Sequence, residues 1–410
     1  MKKKMLIMMN AMGYGGVESA LLNLLFLLDK EKLDITILFV KKEGELLEKI
    51  PNWIKTKEIQ VSDFDRELLD YGNKEMLKRS IRKRQFRYTC EIITTFFKRK
   101  IYNWINKPND RNEARYRFFP VVEDHYDVAL DFYGHPSVTT YYIVEKVSAD
   151  IKATWLHRSD IGNEIKGYGN YYKKYNRIFG VSNAAKEKFL EVFPELAEKC
   201  ITLYNILLPE VIEKKSQIGK GFTDKIGGMR LLSVGRLAIE KGFDIAIEVA
   251  EKLKKDGYEF KWYVIGEGAE HTNLKKLIMK KEVADCFILL GASDNPYPFF
   301  QQCDIYIQTS RAEGYCITLA EARILKKPII TTNFLTAKEQ IMDGETGIIA
   351  EFSVESILEG VKKLLTDEKL RRKLAHNVSY GKADYLIELE KFYTFVESTD
   401  ELQLLERKVT

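Results

Sequence analysis

Short apolar runs alternate with stretches of helical periodicity along most of this chain, and no other feature restricts its fold so sharply. In the first half, Met5–Met9, Ile35–Val40, Val128–Phe132, Lys152–Leu156 and Arg177–Val181 read as strands, and Leu21, Leu24, Leu25 and Leu28 fall at helical spacing. The second half repeats the pattern with strands at Arg230–Val234, Lys261–Ile265, Cys286–Leu290, Ile305–Gln308, Pro328–Thr331 and Thr346–Ala350. Helices are expected between them at Ile245–Lys255, His271–Lys281, Ile317–Leu325 and Val354–Thr366. Strands and helices in strict alternation build parallel sheets joined by right-handed crossovers, here twice over. The seam lies at Leu207 to Thr223, where Pro209 is read as a stop and the stretch to Gly219 and Gly221 is polar. The fold class is therefore α/β, with two Rossmann-like domains at 1–207 and 220–380. Residues 381–410 carry a last helical stretch, Leu386–Val396, expected to pack back on the first domain, and an insertion at about 62–120 interrupts the first pattern.

Composition removes several classes. With 410 residues, 45% of them hydrophobic, the chain buries large cores and is not disordered. Five scattered cysteines without a C-x-x-C pair argue against a disulfide scaffold or a zinc ribbon, and favour a reducing cytoplasm. The basic start Met1-Lys2-Lys3-Lys4 precedes an apolar run that breaks at Asn10 with no cleavage site behind it, so a buried first strand is expected instead of a signal peptide. The next apolar stretch, Ala20 to Leu28, is interrupted by Asn23 and too short to span a bilayer, which points to a soluble or membrane-surface protein.

Three loops carry chemistry. Gly235-Arg236-Leu237 leaves the first strand of the second half, and Glu240-Lys241-Gly242-Phe243 follows. Gly235 allows a sharp turn, and the turn puts Arg236 and Lys241 at the carboxyl edge of the sheet, where open α/β sheets bind ligands. The two cations suit phosphate oxygens, although a solvated basic loop reads equally well from these residues alone. Gly266-Glu267-Gly268 ends the next strand, a glycine turn short of the full dinucleotide fingerprint that suits a second wall of a nucleotide pocket. The third loop decides between the readings. After Ile305–Gln308 come Glu313-Gly314-Tyr315-Cys316-Ile317, and a helix starts near Ile317, presenting its free N–H groups and positive dipole end to an anion. Glu321 lies about one turn into that helix, so one carboxylate in the loop and one on the helix can grip two sets of hydroxyls. Taken singly they would be a capping and a surface glutamate.

Together, Gly235-Arg236-Leu237, Lys241-Gly242, Gly266-x-Gly268 and Glu313-Gly314 with Glu321 resemble the signature of the retaining glycosyltransferases of family 4, which have the GT-B fold of two Rossmann-like domains facing each other across a cleft. Gly15-Gly16-Val17-Glu18, Trp155-Leu156-His157, Val181-Ser182 and Tyr204-Asn205 extend the resemblance over most of the chain. It is most similar to bacterial enzymes of capsular, exopolysaccharide or teichoic-type glycan assembly. The resemblance implies that Arg236 and Lys241 neutralise the diphosphate of a nucleotide-sugar, that Glu321 holds the ribose and that Glu313 holds donor-sugar hydroxyls. It further implies that Tyr315, Cys316 and Ile317 offer backbone N–H groups to the phosphates. Gly15 and Gly16 would let the amino-terminal loop approach the diphosphate, and His157 would lie near the donor sugar. Transfer would retain anomeric configuration by front-side attack, with no covalent nucleophile, no cofactor and no metal, since two cations already balance the diphosphate. Asp63-x-Asp65 resembles the metal motif of another glycosyltransferase fold but is read as surface.

The net charge of +5 hides a local excess. Residues 73–118 hold 14 Lys and Arg against four acids, a net +10, and the remainder of the chain is mildly acidic. Within this insertion Cys90, Ile93, Phe97, Ile101 and Trp104 recur at helical spacing, with Phe96 and Ile105 alongside. An apolar face flanked by cations suits a helix on an anionic membrane surface; a helical pair packed on the first domain with a solvated basic face is the other reading. RNA is not favoured, because the site chemistry gives it no role. The expectation is a cytoplasmic, peripherally membrane-associated enzyme that moves a hexosyl or N-acetylhexosaminyl group from a nucleotide-sugar, UDP-linked, to a lipid-linked surface-glycan acceptor. A nucleotide-sugar epimerase of the same architecture and a catalytically silent partner subunit are the alternatives.

Overall fold

The computed structural model describes residues 2–62, 73–104, 116, 119–378, 380 and 382–398. The chain forms two compact units, one of Met1–Val181, Ala185–Tyr204 and Glu390–Thr410, the other of Ser182–Ala184 and Asn205–Leu389.

In the first unit seven strands among the described residues are all parallel: β1 Lys3–Met9, β2 Leu33–Phe39, β3 Lys55–Glu58, β4 His125–Asp131, β5 Ser148–Leu156, β6 Arg177–Gly180 and β7 Cys200–Thr202, in the order β3-β2-β1-β4-β5-β6-β7. The central strands are buried on both faces, as Met5 to Met9 of β1 illustrate, because helices cover a parallel sheet on each side. The run of apolar residues expected from sequence follows from that double covering. Two edge strands carry no such signal: β3 reads Lys-Thr-Lys-Glu and β7 has three residues. A charged, short edge resists pairing with other chains, and the same charges erase its apolar pattern.

The second unit has six parallel strands among the described residues: β8 Met229–Val234, β9 Phe260–Ile265, β10 Phe287–Gly291, β11 Ile305–Gln308, β12 Ile329–Thr332 and β13 Ile348–Ala350, ordered β10-β9-β8-β11-β12-β13. Its core is stitched by a buried polar contact: Trp262 Nε1 donates to Ser233 Oγ at 2.9 Å, and that hydroxyl donates to the Ile307 carbonyl at 2.6 Å. The contact lets the indole fill the core without an orphaned donor. Around it the helix Phe243–Lys255 buries Phe243, Ile247, Ala250 and Leu253, one stripe of a 3.6-residue period.

Two sequence expectations need adjustment. Pro209 does not stop an element; it opens the helix Pro209–Ser216, where its missing N–H and fixed φ suit the first turn. The seam is thus partly helical and belongs to the second unit. The last helix runs over Lys382–Glu397, longer than its apolar stretch, and its later part lies in the first unit, with Phe392 against Trp155 and Phe395 against Phe179 at ring separations of 6.4 and 5.0 Å. The basic insertion forms helices Asn73–Arg82 and Phe86–Trp104, which share a small core of Met76 and Ile92. Asp63, Asp65, Ile105 and the basic positions Lys107, Arg111, Arg115 and Arg117 lie outside the described residues, as do the side chains of Lys74, Phe96, Lys98, Arg99, Lys100, Ile101 and Trp104.

Candidate active site

In the second sheet the strand order reverses between β8 and β11, which pair through Ile305 with Leu231 and Tyr306 with Leu232. At such a switch point the loops leaving the two strands diverge and open a crevice at the carboxyl edge. The loop after β8 carries Arg236 and Lys241; the loop after β11 carries Glu313. Lys241 Nζ donates to Glu313 Oε1 at 2.7 Å, with side chains only 16% and 9% exposed. The same oxygen accepts from Ser310 Oγ at 2.5 Å and Gln308 Nε2 at 3.1 Å. Gln308 is held in turn by the hydroxyls of Tyr306 and Thr318, which donate to its Oε1 at 2.5 and 3.2 Å. Burial opposes the charge on Lys241, but the Glu313 carboxylate outweighs it and holds the ammonium above its ordinary pKa. A fixed cation and a fixed carboxylate therefore meet at the reversal point.

Gly242 makes this approach possible. Gly242 has φ +66°, and a Cβ there would stand 2.0 Å from the Thr309 carbonyl oxygen, so only glycine fits where the β8 loop crosses the end of β11. A Cβ on Gly235 would meet the methylenes of Lys241 at 3.4 Å, so the lysine stem lies along this glycine. Arg236 is placed differently: it is 66% exposed and pairs with Glu240 at 2.8 Å on the surface of the loop. The structure brings Lys241 and Glu313 together and leaves Arg236 on its own acidic neighbour. Gly266 and Gly268 pack on the same loop, where added Cβ atoms would lie 1.9 Å from the Gly235 carbonyl oxygen and 2.3 Å from that of Leu237. Their evident task is to let the β9 loop support the β8 loop.

Past Glu313 and Gly314 the chain turns at Cys316, which adopts the left-handed region at φ 64° and caps the helix Ile317–Ile324. The Cys316 side chain makes no capping hydrogen bond, so the N–H groups of the helix's first residues can receive an anion. Gln340 Nε2 donates to the carbonyls of Tyr315 and Cys316 and steadies the turn. Glu321, five residues into the helix and 8% exposed, accepts the Tyr297 hydroxyl at 2.9 Å. Burial pushes its pKa up to about 7, against the pull of the Tyr297 hydrogen bond and the Lys215 charge.

The remaining expected residues lie in the first unit, whose strand order reverses between β1 and β4. Gly15 caps and Gly16 begins the helix Gly16–Leu27 after β1, and the Glu18 carboxylate fills the space a Gly15 side chain would take. His157 follows β5; its ring lies 4.9 Å from Phe132 and stacks 5.8 Å from Trp155, and its Nε2 is buried without a hydrogen-bond partner among the described residues. Burial pushes its pKa down to about 3, so the imidazole is neutral at physiological pH. Nearby, the buried Asp131 carboxylate accepts from Thr140, Thr154 and Tyr175 side chains and the Gly134 N–H, which pins the loop leaving β4.

Sequence reasoning missed Gln308, Ser310, Tyr297 and Gln340. Only Gln308 left a signal, a polar residue closing an otherwise apolar strand; the others are common loop and helix residues whose partners come from distant segments.

Two α/β units, each built on a parallel sheet, give the chain the fold of the GT-B class. Residues 224–379 match the family described as Glycosyl transferases group 1. Among curated relatives, the chain is 30% identical over 203 residues to the N-acetylgalactosamine-N,N'-diacetylbacillosaminyl-diphospho-undecaprenol 4-alpha-N-acetylgalactosaminyltransferase of Campylobacter jejuni, covering 49% of this chain and 54% of that one. The chain spans about half the length of the curated relatives it matches first. Among solved structures, a glycosyltransferase from Rickettsia africae superposes with a TM-score of 0.64 at 19% identity, covering 97% of this chain and 98% of that one. HepE of Anabaena, solved in complex with UDP, superposes at 0.65 and 14% identity over 96% of this chain and 100% of that one. These likenesses establish the fold.

Proposed function

We propose that the chain is a retaining glycosyltransferase that moves a sugar from a UDP-sugar to a lipid-linked surface-glycan acceptor. The observation that carries the reading is the part-buried Lys241–Glu313 pair at the switch point, beside a helix whose N-cap residue, Cys316, makes no side-chain capping hydrogen bond. In this reading Lys241, Arg236 and the N–H groups from Tyr315 to Ile317 receive the diphosphate. Glu313 holds donor-sugar hydroxyls, Glu321 the ribose, and neutral His157 serves as a hydrogen-bonding group, not as an acid. Gly15 and Gly16 let the first unit's loop approach the diphosphate, and Gly266, Gly268 and Gly314 shape the pocket.

The bond from the anomeric carbon to the diphosphate oxygen breaks while the acceptor oxygen bonds to that carbon on the same face. The acceptor proton passes to the departing phosphate oxygen, and the side-chain cations stabilise the negative charge that develops there. The transfer runs without a metal or cofactor, because these cations do the neutralising. Support for UDP comes from the likeness to HepE, which was solved with UDP bound. Support for a lipid-linked acceptor comes from the Campylobacter relative, whose name specifies a diphospho-undecaprenol.

Screening purified protein against UDP- and GDP-sugars tests the reading. Turnover of a UDP-sugar that persists in EDTA is expected, with a loss of at least ~100-fold in Glu313→Ala and Lys241→Ala, the scale of removing one electrostatic transition-state contact. Full activity in Glu313→Ala, or no nucleotide binding at all, overturns it.

A further inference from the structure

The loop between β10 and the helix Tyr297–Gln302 has no part in the roles assigned so far, yet it is tied into the second unit by specific polar contacts. Asn295 Nδ2 donates to the carbonyls of Lys215 and Ile218, both at 2.9 Å, which fastens the loop to the end of the helix Pro209–Ser216. Two residues on, the Tyr297 hydroxyl reaches Glu321 Oε1 at 2.9 Å. The Tyr297 ring sits 6.3 Å from Phe300, which itself stacks at 5.1 Å on Tyr306, so the phenol is backed by the aromatic core. Among the described residues no other side chain hydrogen-bonds the Glu321 carboxylate.

We infer that Tyr297 is a positioning residue for ribose recognition: its hydroxyl occupies one oxygen of the Glu321 carboxylate and orients the other toward the 2′,3′-diol of a nucleoside diphosphate. The inference rests on the assignment of Glu321 to the ribose. Three physical facts favour it. A carboxylate on a helix swings about its side-chain torsions, and a hydrogen bond to one oxygen selects a rotamer before the ligand arrives. Burial holds the Tyr297 hydroxyl well above its ordinary pKa, so it donates at any working pH. An ionised carboxylate accepts from several donors at once, and Tyr297 leaves one oxygen for the vicinal hydroxyls.

The test compares UDP with 2′,3′-dideoxyuridine diphosphate by titration calorimetry on the full chain, as wild type, Tyr297→Phe and Glu321→Gln. The wild type is expected to prefer the ribonucleotide by at least tenfold. Tyr297→Phe should narrow that preference roughly three- to tenfold, the worth of one hydrogen bond, while binding the dideoxy nucleotide as the wild type does. The unchanged dideoxy affinity shows that the variant is folded, and a merely structural role would weaken both nucleotides alike. A preserved preference in Tyr297→Phe, or equal weakening of both ligands, overturns the role of Tyr297. If Glu321→Gln nevertheless loses the preference, the ribose assignment stands without it. If Glu321→Gln keeps the preference, the ribose assignment falls and the role of Tyr297 with it.

Discussion

Eight residues apart on one loop and helix, Glu313 and Glu321 sit in opposite electrostatic settings. Glu313 has an ammonium, a hydroxyl and an amide on a single oxygen, whereas Glu321 is buried with one phenol as its donor. Burial therefore raises Glu321 from 4.5 to about 7. Between those values the folded chain keeps a proton that the unfolded chain has released, so this group costs stability as pH rises from the lower value through the upper. Glutamine has no proton to lose. The stability of Glu321→Gln relative to wild type should then grow from about pH 5 to about pH 8, approaching ~3 kcal/mol, in urea unfolding without nucleotide. A difference that does not change with pH would refute the buried setting of Glu321.

At the scale of elements, the helix Ile317–Ile324 depends on the turn that feeds it. Cys316 takes φ 64°, a region that glycine enters freely and β-branched residues resist. The turn persists because Gln340, from the segment after β12, holds the carbonyls on both sides of it. Cys316→Val is expected to lower stability by ~2 kcal/mol through the added strain at Cβ. Cys316→Gly should stay within ~1 kcal/mol of wild type, since relief of strain offsets the lost burial of the thiol. Chemical denaturation of both variants checks this, and equal losses in the two would mean that packing, not backbone conformation, governs the turn.

On the scale of the whole molecule the charge is unevenly placed. The helices Asn73–Arg82 and Phe86–Trp104 expose Ile81, Phe86, Ile93 and Phe97, with Phe86 at 75%, next to the exposed Arg82, Lys83, Arg84 and Arg87. No helix among the described residues is long and apolar enough to cross a membrane. If this basic hairpin rests on an anionic membrane surface, each Lys or Arg would contribute about 1 kcal/mol. Flotation with vesicles containing phosphatidylglycerol should recover the protein at low salt and lose it at high salt. Reversing Arg82, Lys83 and Arg84 to Glu should weaken partitioning by more than ~100-fold. Flotation unaltered by that reversal would show that the hairpin does not hold the membrane.

The amino-acid sequence by itself determined the two parallel sheets and which loops leave their carboxyl edges with glycines and charged residues. Buried strands such as Ile305–Gln308 must be apolar on both faces, and the Gly and Glu residues of the β8 and β11 loops stand out against them. Edge strands β3 and β7 left no such mark, because an exposed edge needs no apolar face. Pro209 misled for a related reason: the ring that ends one helix also starts another, and only the following turn distinguishes them. The tertiary structure alone decided that Lys241 meets Glu313 across 72 residues while Arg236 stays with Glu240, because that outcome depends on β8 lying beside β11. It also decided the neutral state of His157 and the contact of Tyr297 with Glu321. Periodicity records which face of a segment is buried. It carries no record of which distant side chain arrives there, and charge state follows from that neighbour.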